Sequence, residues 1–257
     1  MLTKRHGAIL KLLEGQGALS VTTLSQQLGV SGETIRRDIR ALVESGVAVR
    51  VHGAVGLAGQ IGEAPFQRRM RENASAKRAI AQVMANRVAD GDSLMLDTGT
   101  TTSFLARELL GHRRLTVVTN SSDIARTLAT VNGNRVFMAG GELRGDSGAS
   151  LGASALDFIR SFAVQHAIIS AGAVDASGVM DFDLQEAEFA RAVLACGERR
   201  VVVTDSSKFG RRGFIRVAGF DRLDEVVCDT TPPPDVLTSM QAAGVSIVLA
   251  ASNDDGK

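Results

Sequence analysis

The chain has 257 residues, of which 44% are hydrophobic and 22% are charged, and its formal net charge is +1 at pH 7. This length and balance are typical of one large folded domain or of a medium domain joined to a small one, and they exclude bulk disorder. A net charge near zero also excludes a strong overall attraction to nucleic acid or to a membrane surface.

Positive charge is concentrated at the N-terminal end. Residues 1–60 contain seven Lys and Arg against four Asp and Glu, whereas residues 61–257 contain twenty-two against twenty-four. An N-terminal nucleic-acid-binding module would need this local excess. Trp and Tyr are both absent. Their absence argues against single-stranded nucleic acid as the main target, because proteins that bind it stack bases on aromatic rings.

Neither a secretory signal nor a membrane-spanning segment is predicted, because the chain lacks a charged and then apolar opening and any run of about 18 apolar residues. Cys196 and Cys228 lie in apolar surroundings without metal-binding spacing such as CxxC, so we expect two free thiols. We therefore expect a cytoplasmic protein that holds no metal and no cofactor and does not bind membranes.

Apolar residues at helical spacing predict three helices within the first 46 residues. Ser20 and Ser31 are placed to cap the second and third of these helices, and Gly29 marks a sharp turn between them. Two short helices joined by such a turn are typical of a helix-turn-helix, whose second helix enters the major groove of DNA. The following "VAVRVHGAV" alternates and predicts a small hairpin or wing.

The third helix carries arginines on the side opposite to its apolar residues. Arginine can bond guanine in pairs or neutralise phosphates, which makes this face a candidate DNA-binding surface. The alternative is that these arginines are only the solvated face of a helix. The candidate DNA-binding residues of the helix and wing are Ser31, Thr34, Arg36, Arg37, Arg40, Arg50 and His52.

The stretch "VSGETIRRDIRALVESGVAVRVHGAV" resembles the N-terminal signature of the DeoR family of bacterial transcriptional regulators. The resemblance covers about 25 residues and implies a winged helix-turn-helix that binds double-stranded operator DNA. We therefore predict a DNA-binding domain over residues 1–56. The Gly- and Ala-rich stretch and the charged connector that follow predict a linker over residues 57–75.

Beyond the linker, strand-like apolar runs alternate with amphipathic helical segments, which predicts an α/β domain over residues 76–257 with a mostly parallel sheet. In open sheets of this kind ligands bind beyond the carboxyl ends of the strands. Small polar residues, glycines and two cations follow five of the predicted strands, at residues 97–102, 119–121, 140–144, 171–173 and 205–208. We therefore expect a polar pocket for a small anionic molecule at this edge, although each ending alone is more typical of simple capping.

The second domain also resembles the DeoR family, in "DTGTTT", "AGGELR", "SAGAVDASG" and "DSSKFGRRGF". The resemblance implies a sensor domain that shares its fold with ribose-5-phosphate isomerase and binds a phosphorylated sugar or polyol. The spacing is near that of the glycerol-3-phosphate regulon repressor group. Carried over by position, the effector-binding residues are Asp97, Gly99, Thr100, Thr101, Thr102, Asn120, Arg144, Gly172, Glu186 and Lys208.

Three functions remain open to these observations. Asp97, Glu186 and Lys208 could serve a sugar-phosphate isomerase as base, acid and electrophile, but an isomerase has no use for a helix-turn-helix. A second domain that only oligomerises would not need polar residues at one sheet edge. The expected protein is therefore a repressor of a carbohydrate or polyol operon, not an enzyme, released from DNA by its effector. Symmetric operators favour a homodimer or homotetramer.

Overall fold

A computed structural model divides the chain into two units, Met1–Arg68 and Arg69–Lys257. The structure describes residues 3–16, 19–51, 54–57 and 63–250. Within the predicted linker 57–75, Leu57 ends a strand, residues 66–69 form a short helix and Ala74 begins a longer one. The division between the two units falls inside this segment, within the short helix.

The first unit contains the predicted helices followed by a hairpin. Its sheet is antiparallel, with the strand order β1-β3-β2, so the predicted wing is present. The elements are α1 Lys4–Gln16, β1 Leu19–Ser20, α2 Val21–Leu28, α3 Gly32–Glu44, β2 Ala48–Val51, β3 Ala54–Leu57 and, crossing the unit boundary, α4 Phe66–Arg69.

Local chemistry sets the helix ends in this unit. The Ser20 hydroxyl accepts a hydrogen bond from the backbone N–H of Thr23, and the Ser31 hydroxyl accepts one from Thr34. Such caps satisfy backbone donors that a helix leaves unpaired at its start. Gly29 ends α2 at φ 63°, a left-handed conformation that glycine adopts without steric cost. The sharp turn between α2 and α3 therefore follows from the sequence.

The second unit is built on a seven-stranded sheet in the order β13-β12-β10-β7-β4-β5-β6. Every neighbouring pair in it is parallel, as predicted. The strands of this sheet are β4 Ser93–Leu96, β5 Thr116–Thr119, β6 Arg135–Met138, β7 Val164–Ser170, β10 Gly197–Thr204, β12 Glu225–Cys228 and β13 Ser246–Leu249.

Helices cover both faces of this sheet. Successive strand residues belong to different apolar clusters, as Leu94 and Leu96 do on one side and Met95 on the other. The cluster around Leu94 includes residues of α5, α6 and α7, and the cluster around Met95 includes residues of α8, α9 and α10. These helices are α5 Ala74–Ala85, α6 Thr100–Glu108, α7 Ser122–Leu128, α8 Ala153–Ile159, α9 Leu184–Ala195 and α10 Pro234–Ala242.

A second, antiparallel sheet in this unit was absent from the sequence prediction. It has the order β11-β9-β8 and consists of β8 Ala173–Asp175, β9 Gly178–Asp181 and β11 Ile215–Ala218. Its strands are short, and β11 lies more than thirty residues from β9 along the chain. Pairing between such distant short segments leaves little local periodicity, which is why the alternation pattern did not reveal it.

Candidate DNA-binding helix and effector site

Helix α3 separates an apolar face from a basic one. Ile35, Ile39 and Leu42 are fully buried among residues of α1, α2 and the wing. On the opposite side Arg36, Arg37 and Arg40 are exposed, and Arg36 lies 3.3 Å from the Glu33 carboxylate. Within the described part of the chain, Arg37 and Arg40 form no ion pair. Their guanidinium groups are therefore available to bases or phosphates.

The same helix is held to α1 by a carboxylate that the sequence analysis did not single out. Asp38 is 5% exposed, and its Oδ1 accepts a 3.0 Å hydrogen bond from Arg5 while Arg5 Nε contacts the second oxygen. The His6 ring lies 3.3 Å from Oδ1. The hydrogen bond from Arg5 lowers the pKa of Asp38 below its usual range. The carboxylate thus fixes α3 against α1 while its neighbour Arg37 points outward.

The other predicted DNA-binding residues have different surroundings. Ser31 caps α3 by accepting a hydrogen bond from the backbone N–H of Thr34, and the two hydroxyl oxygens lie 2.9 Å apart. Arg50 is exposed on β2 of the wing. His52 lies outside the described residues. Contact of any of these residues with DNA remains a prediction.

The five predicted polar strand endings lie along one edge of the large sheet, because all its strands run in the same direction. Across this edge the order is β10, β7, β4, β5 and β6. From β4 the chain winds towards β5 and β6, and from β7 it winds the other way towards β10. A crevice is expected where the winding direction changes, between β4 and β7.

Asp97 lies at this point of the edge, directly after β4. It is 7% exposed, and its Oδ2 accepts a 3.0 Å bond from the backbone N–H of Ser170 and a 3.3 Å bond from the Ser170 hydroxyl. Among the described residues, Asp97 Oδ1 has no hydrogen-bond partner. Burial, together with the nearby charge of Asp181, raises the pKa of Asp97 to about 7. Asp97 is therefore a buried residue whose Oδ1 can accept a further hydrogen bond.

The start of α6 lies beside Asp97. Gly99 precedes the helix, and a Cβ on it would lie 2.0 Å from the Ser170 hydroxyl oxygen, so only glycine fits without movement. Thr100, Thr101 and Thr102 form the first turn and are at most 5% exposed. The Thr102 hydroxyl donates to the carbonyls of Asp97 and Gly99. The free N–H groups of this turn and the helix dipole favour an anion.

Asn120 extends the crevice towards β5. Its Oδ1 accepts a 2.9 Å bond from Thr98, and its Nδ2 donates to the carbonyl of Ser150 at 3.0 Å. Ser150 is fully buried, and its hydroxyl oxygen has no hydrogen-bond partner within the described ranges. Asn120 therefore holds together the β4 and β5 endings and the loop before α8. The Ser150 hydroxyl is the second buried polar atom near this edge, after Asp97 Oδ1, that lacks a hydrogen-bond partner.

Arg144 is engaged by carboxylates at the margin of the edge. Its guanidinium lies 3.0 Å from Asp183 and 3.1 Å from Glu186 and donates to Gln185. Asp183 caps α9 and accepts from the N–H groups of Gln185 and Glu186. Arg144 and Glu186 thus tie the loop after β6 to the start of α9. An effector phosphate would compete with these carboxylates for Arg144.

Gly172 and Lys208 complete the predicted set. Gly172 follows β7, and a Cβ on it would lie 3.2 Å from the Asp181 Cα. Because glycine has no Cβ, the end of β9 in the small antiparallel sheet can pack closely against this position. Lys208 ends the short 3-10 turn Ser206–Lys208 after β10 and is half-buried. The structure brings Asp97, the α6 turn and Gly172 together at β4 and β7, and places Lys208 just after the next strand, β10.

Ser170 and Ser150 are bonded to the predicted effector-binding residues Asp97 and Asn120, and sequence reasoning missed both of them. Ser170 is the last residue of β7, directly before the quoted Ala171-Gly172 ending, so its position alone could have identified it. Ser150 gave no such signal, because it lies in a loop between β6 and α8.

No group of three or more His, Cys, Asp and Glu residues suited to a metal ion occurs in residues 3–16, 19–51, 54–57 and 63–250. Over the same ranges, no helix combines the length and apolarity that crossing a bilayer requires.

Asp97→Asn should make the folded protein more stable than wild type at alkaline pH. The raised pKa means that the folded state binds more protons than the unfolded chain between about pH 4 and 7, so wild-type stability falls as pH rises through this window. The amide introduced by the substitution carries no charge to desolvate, and we expect a difference of up to about 4 kcal/mol at pH 8. Urea unfolding at pH 5 and pH 8 measures it. The exposed control Asp157→Asn should show no such pH-dependent difference.

A helix-turn-helix with exposed arginines, followed by a parallel α/β domain with a polar edge, defines a class of transcriptional regulators in which DNA-binding and sensor domains share one chain. The chain belongs to the DeoR family, as predicted. Residues 5–60 match the DeoR-like helix-turn-helix domain, and residues 72–230 match the DeoR C terminal sensor domain.

Two curated relatives and one solved structure illustrate the similarity. The glycerol-3-phosphate regulon repressor of Escherichia coli (strain K12) is 34% identical over 236 residues, which are 91% of this chain and 94% of the relative. The HTH-type transcriptional repressor CsqR of the same organism is 30% identical over 246 residues, 95% of this chain and 94% of the relative. Ribose 5 phosphate isomerase A from Neisseria gonorrhoeae is 18% identical, with a TM-score of 0.39 and 53% of each chain covered.

Proposed function

We propose that the protein represses a carbohydrate or polyol catabolic operon and leaves its operator when a phosphorylated sugar or polyol binds at the carboxyl edge of the large sheet. Membership of the DeoR family and the names of the relatives, among them a glycerol-3-phosphate regulon repressor, support this proposal. Regulation requires that the effector bind the free and the DNA-bound forms with different affinity.

The single observation that supports the effector class is that buried polar atoms without partners and a helix N-terminus occur at the same edge of the sheet. Asp97 Oδ1 and the Ser150 hydroxyl are buried polar atoms without described partners, and buried polar groups are normally hydrogen-bonded. Hydroxyl groups of a sugar or polyol would satisfy them. The first turn of α6 offers backbone N–H groups to a phosphate. A ligand with both hydroxyls and a phosphate matches this arrangement better than either a bare anion or an apolar molecule.

For the DNA-binding unit we propose that α3 lies in the major groove, with Arg36, Arg37 and Arg40 at bases or phosphates and Arg50 at the backbone. A helix of this kind reads only a few base pairs, so specific binding usually combines two half-sites through symmetric copies of the protein. We therefore propose a homodimer or homotetramer as the active form.

A sugar-phosphate isomerase remains the alternative to be excluded by experiment. Glu186, which would be one of its acid–base residues, is paired with Arg144. The guanidinium therefore already occupies the carboxylate oxygen that an acid–base residue would present to its substrate. Purified protein incubated with ribose 5-phosphate should therefore release no ribulose 5-phosphate above the background of a heated sample. Turnover would contradict the proposal of a non-enzymatic sensor.

A thermal-shift screen against phosphorylated sugars and polyols should identify the effector, because a ligand that binds the folded state raises its melting temperature. The first compounds to test are sn-glycerol 3-phosphate and ribose 5-phosphate, with glycerol and inorganic phosphate as controls for each half of the first of them. Compounds that raise the melting temperature are then tested for release of DNA. A screen in which free phosphate matches every phosphorylated polyol would contradict recognition of the hydroxyl groups.

Lys208→Ala should leave DNA binding intact but weaken the response to sn-glycerol 3-phosphate. Loss of a charge-assisted contact to a phosphate is expected to raise the concentration needed for half-release about 10-fold or more. Fluorescence anisotropy of labelled DNA, titrated with the compound, measures both quantities. Arg113→Ala removes an exposed cation before β5, outside the carboxyl edge, and should behave as wild type. Equal sensitivity of both variants would remove Lys208 from the proposed site.

A further inference from the structure

The segment after the helix-turn-helix is attached to the second unit by a buried lysine. Lys77 on α5 is 2% exposed. Its ammonium donates to the carbonyl of Arg69 at 2.7 Å and to the carbonyl of Glu72 at 2.5 Å. Residues 69–73 are therefore gathered around one cation at the point where the chain enters the second unit.

The same segment is bonded to the edge that carries the effector site. Asp205 follows β10 and is 1% exposed. Its Oδ1 accepts a 3.0 Å bond from the Asn73 side chain, and its Oδ2 lies 3.9 Å from the Lys77 ammonium. We refer to Asn73, Lys77 and Asp205 as the entry lock. Asp205 also accepts from the backbone N–H of Ser207 and so caps the turn that ends in Lys208.

Inside the first unit, the opposite end of this segment is attached to the recognition helix. Arg68 donates to the carbonyl of Ser45, the last-turn cap of α3, at 3.3 Å. A Cβ on Gly46 would lie 3.2 Å from both Pro65 Cδ and Arg68 Cδ, so the segment passes close to the end of α3. Residues 65–77 thus form a short stretch of chain with one end on the recognition helix and the other in the entry lock.

A buried charge pair is a weak source of stability, because desolvation of both ions offsets most of their attraction. Burial lowers the pKa of Lys77, the Asp205 charge opposes this shift, and the charge of Lys208 adds to it. The positive charge of Lys208 therefore repels the ammonium of Lys77. An anion bound at Lys208 would relieve that repulsion and would at the same time place negative charge near Asp205. Such a pair is suited to a role in specificity or switching.

We propose that the entry lock couples the effector edge to the recognition helix, with Asn73 and Lys77 as positioning residues that fix the path of residues 69–73. The coupling to effector rests on the proposed function; the effect on DNA binding does not. With the lock intact, the segment leading to α3 is ordered before DNA arrives. Without it, that segment must be ordered on binding, which costs conformational entropy and weakens the specific complex.

The test uses the full chain and double-stranded DNA selected from a random pool by the wild-type protein. Asn73→Gly removes the bond to Asp205 and tolerates the left-handed φ of 52° at this position. The double variant K77M/D205N removes both buried charges together, which avoids an unpaired ion in the core. Arg78→Ala on the exposed side of α5 is the matched control. Anisotropy measures binding to the selected DNA and to a random duplex, and calorimetry measures the melting temperature.

Both lock variants should bind the selected DNA about 10-fold more weakly than wild type, a loss within the usual range of coupling between sites. Their binding to the random duplex should change less than about twofold, because it depends on phosphate contacts that the variants retain. A purely structural role would lower both affinities in parallel with the melting temperature. Wild-type affinity and selectivity in Asn73→Gly would overturn the proposal, as would equal losses in Arg78→Ala.

A final measurement separates this inference from the proposed function. sn-Glycerol 3-phosphate is added to the wild-type and Asn73→Gly complexes with the selected DNA. Release of the wild type with a response at least about fivefold smaller in the variant supports coupling through the lock. An equal response in both proteins overturns the coupling. If no phosphorylated polyol or sugar releases the wild type, the proposed function is wrong, while the affinities measured without effector still decide whether the lock affects DNA binding.

Discussion

Replacing Arg37 by alanine is expected to weaken binding to the selected DNA about 10- to 100-fold, the usual cost of one base or phosphate contact made by arginine. Arg37 is exposed beside Asp38, whose carboxylate holds α3 to α1 through Arg5. The helix should therefore keep its place when Arg37 is removed, so that the loss reports on the contact and not on the fold. Anisotropy at several salt concentrations makes the measurement.

The salt dependence distinguishes the two kinds of contact that Arg37 could make. Loss of a phosphate contact should weaken binding to all sequences and lower the slope of log K against log salt by about one. Loss of a base contact should relax specificity at one position and leave the slope unchanged. Arg126→Ala on α7 removes an equally exposed arginine from the second unit and should leave DNA affinity unchanged. Wild-type affinity of Arg37→Ala would contradict the assignment of α3.

The first unit shows which features of a fold can be predicted from local sequence. The caps at Ser20 and Ser31, the turn at Gly29 and the buried face of α3 all depend on residues within one or two turns of each other. The contact between Arg5 and Asp38 joins residues 33 positions apart and follows no periodic pattern. For that reason the sequence predicted an exposed basic face but not the buried carboxylate that anchors it.

In the second unit, the strand endings were predictable because parallel strands place all their carboxyl ends at one edge. The chemistry between those endings was not. Ser170 lies 73 residues from its partner Asp97, and Arg144, which was predicted to bind the effector, is paired with Asp183 and Glu186. Asp205 was interpreted as an ordinary ending, whereas its bonds reach Asn73 at the start of the unit. Such pairings join residues that are distant in the chain and meet only in the folded structure, so they leave no pattern in the local sequence.

Replacing Gly99 by alanine is expected to eliminate the response to the effector and to destabilise the second unit. The new Cβ would lie 2.0 Å from the hydroxyl oxygen and 2.7 Å from the Cβ of Ser170, closer than atoms can approach. Either Ser170 moves and its bonds to Asp97 break, or the first turn of α6 shifts away from the crevice. Overpacking of this kind costs about 1–3 kcal/mol. Calorimetry and titration with sn-glycerol 3-phosphate measure the two effects.

A second substitution, at Ser170, should relieve the clash that Gly99→Ala creates. Ser170→Gly removes the two closest of the three atoms that the new methyl group meets and leaves only Thr102 Oγ1 at 3.0 Å. The double variant Gly99→Ala/Ser170→Gly should therefore regain part of the lost stability, and the two substitutions should be strongly non-additive. Ser170→Ala should not rescue, because its Cβ still lies within 2.7 Å. Gly111→Ala, where nothing lies within 4 Å, controls for the change of residue type. Simple additivity would mean that α6 and β7 do not meet at Gly99, and the proposed phosphate-binding turn would lose its geometric basis.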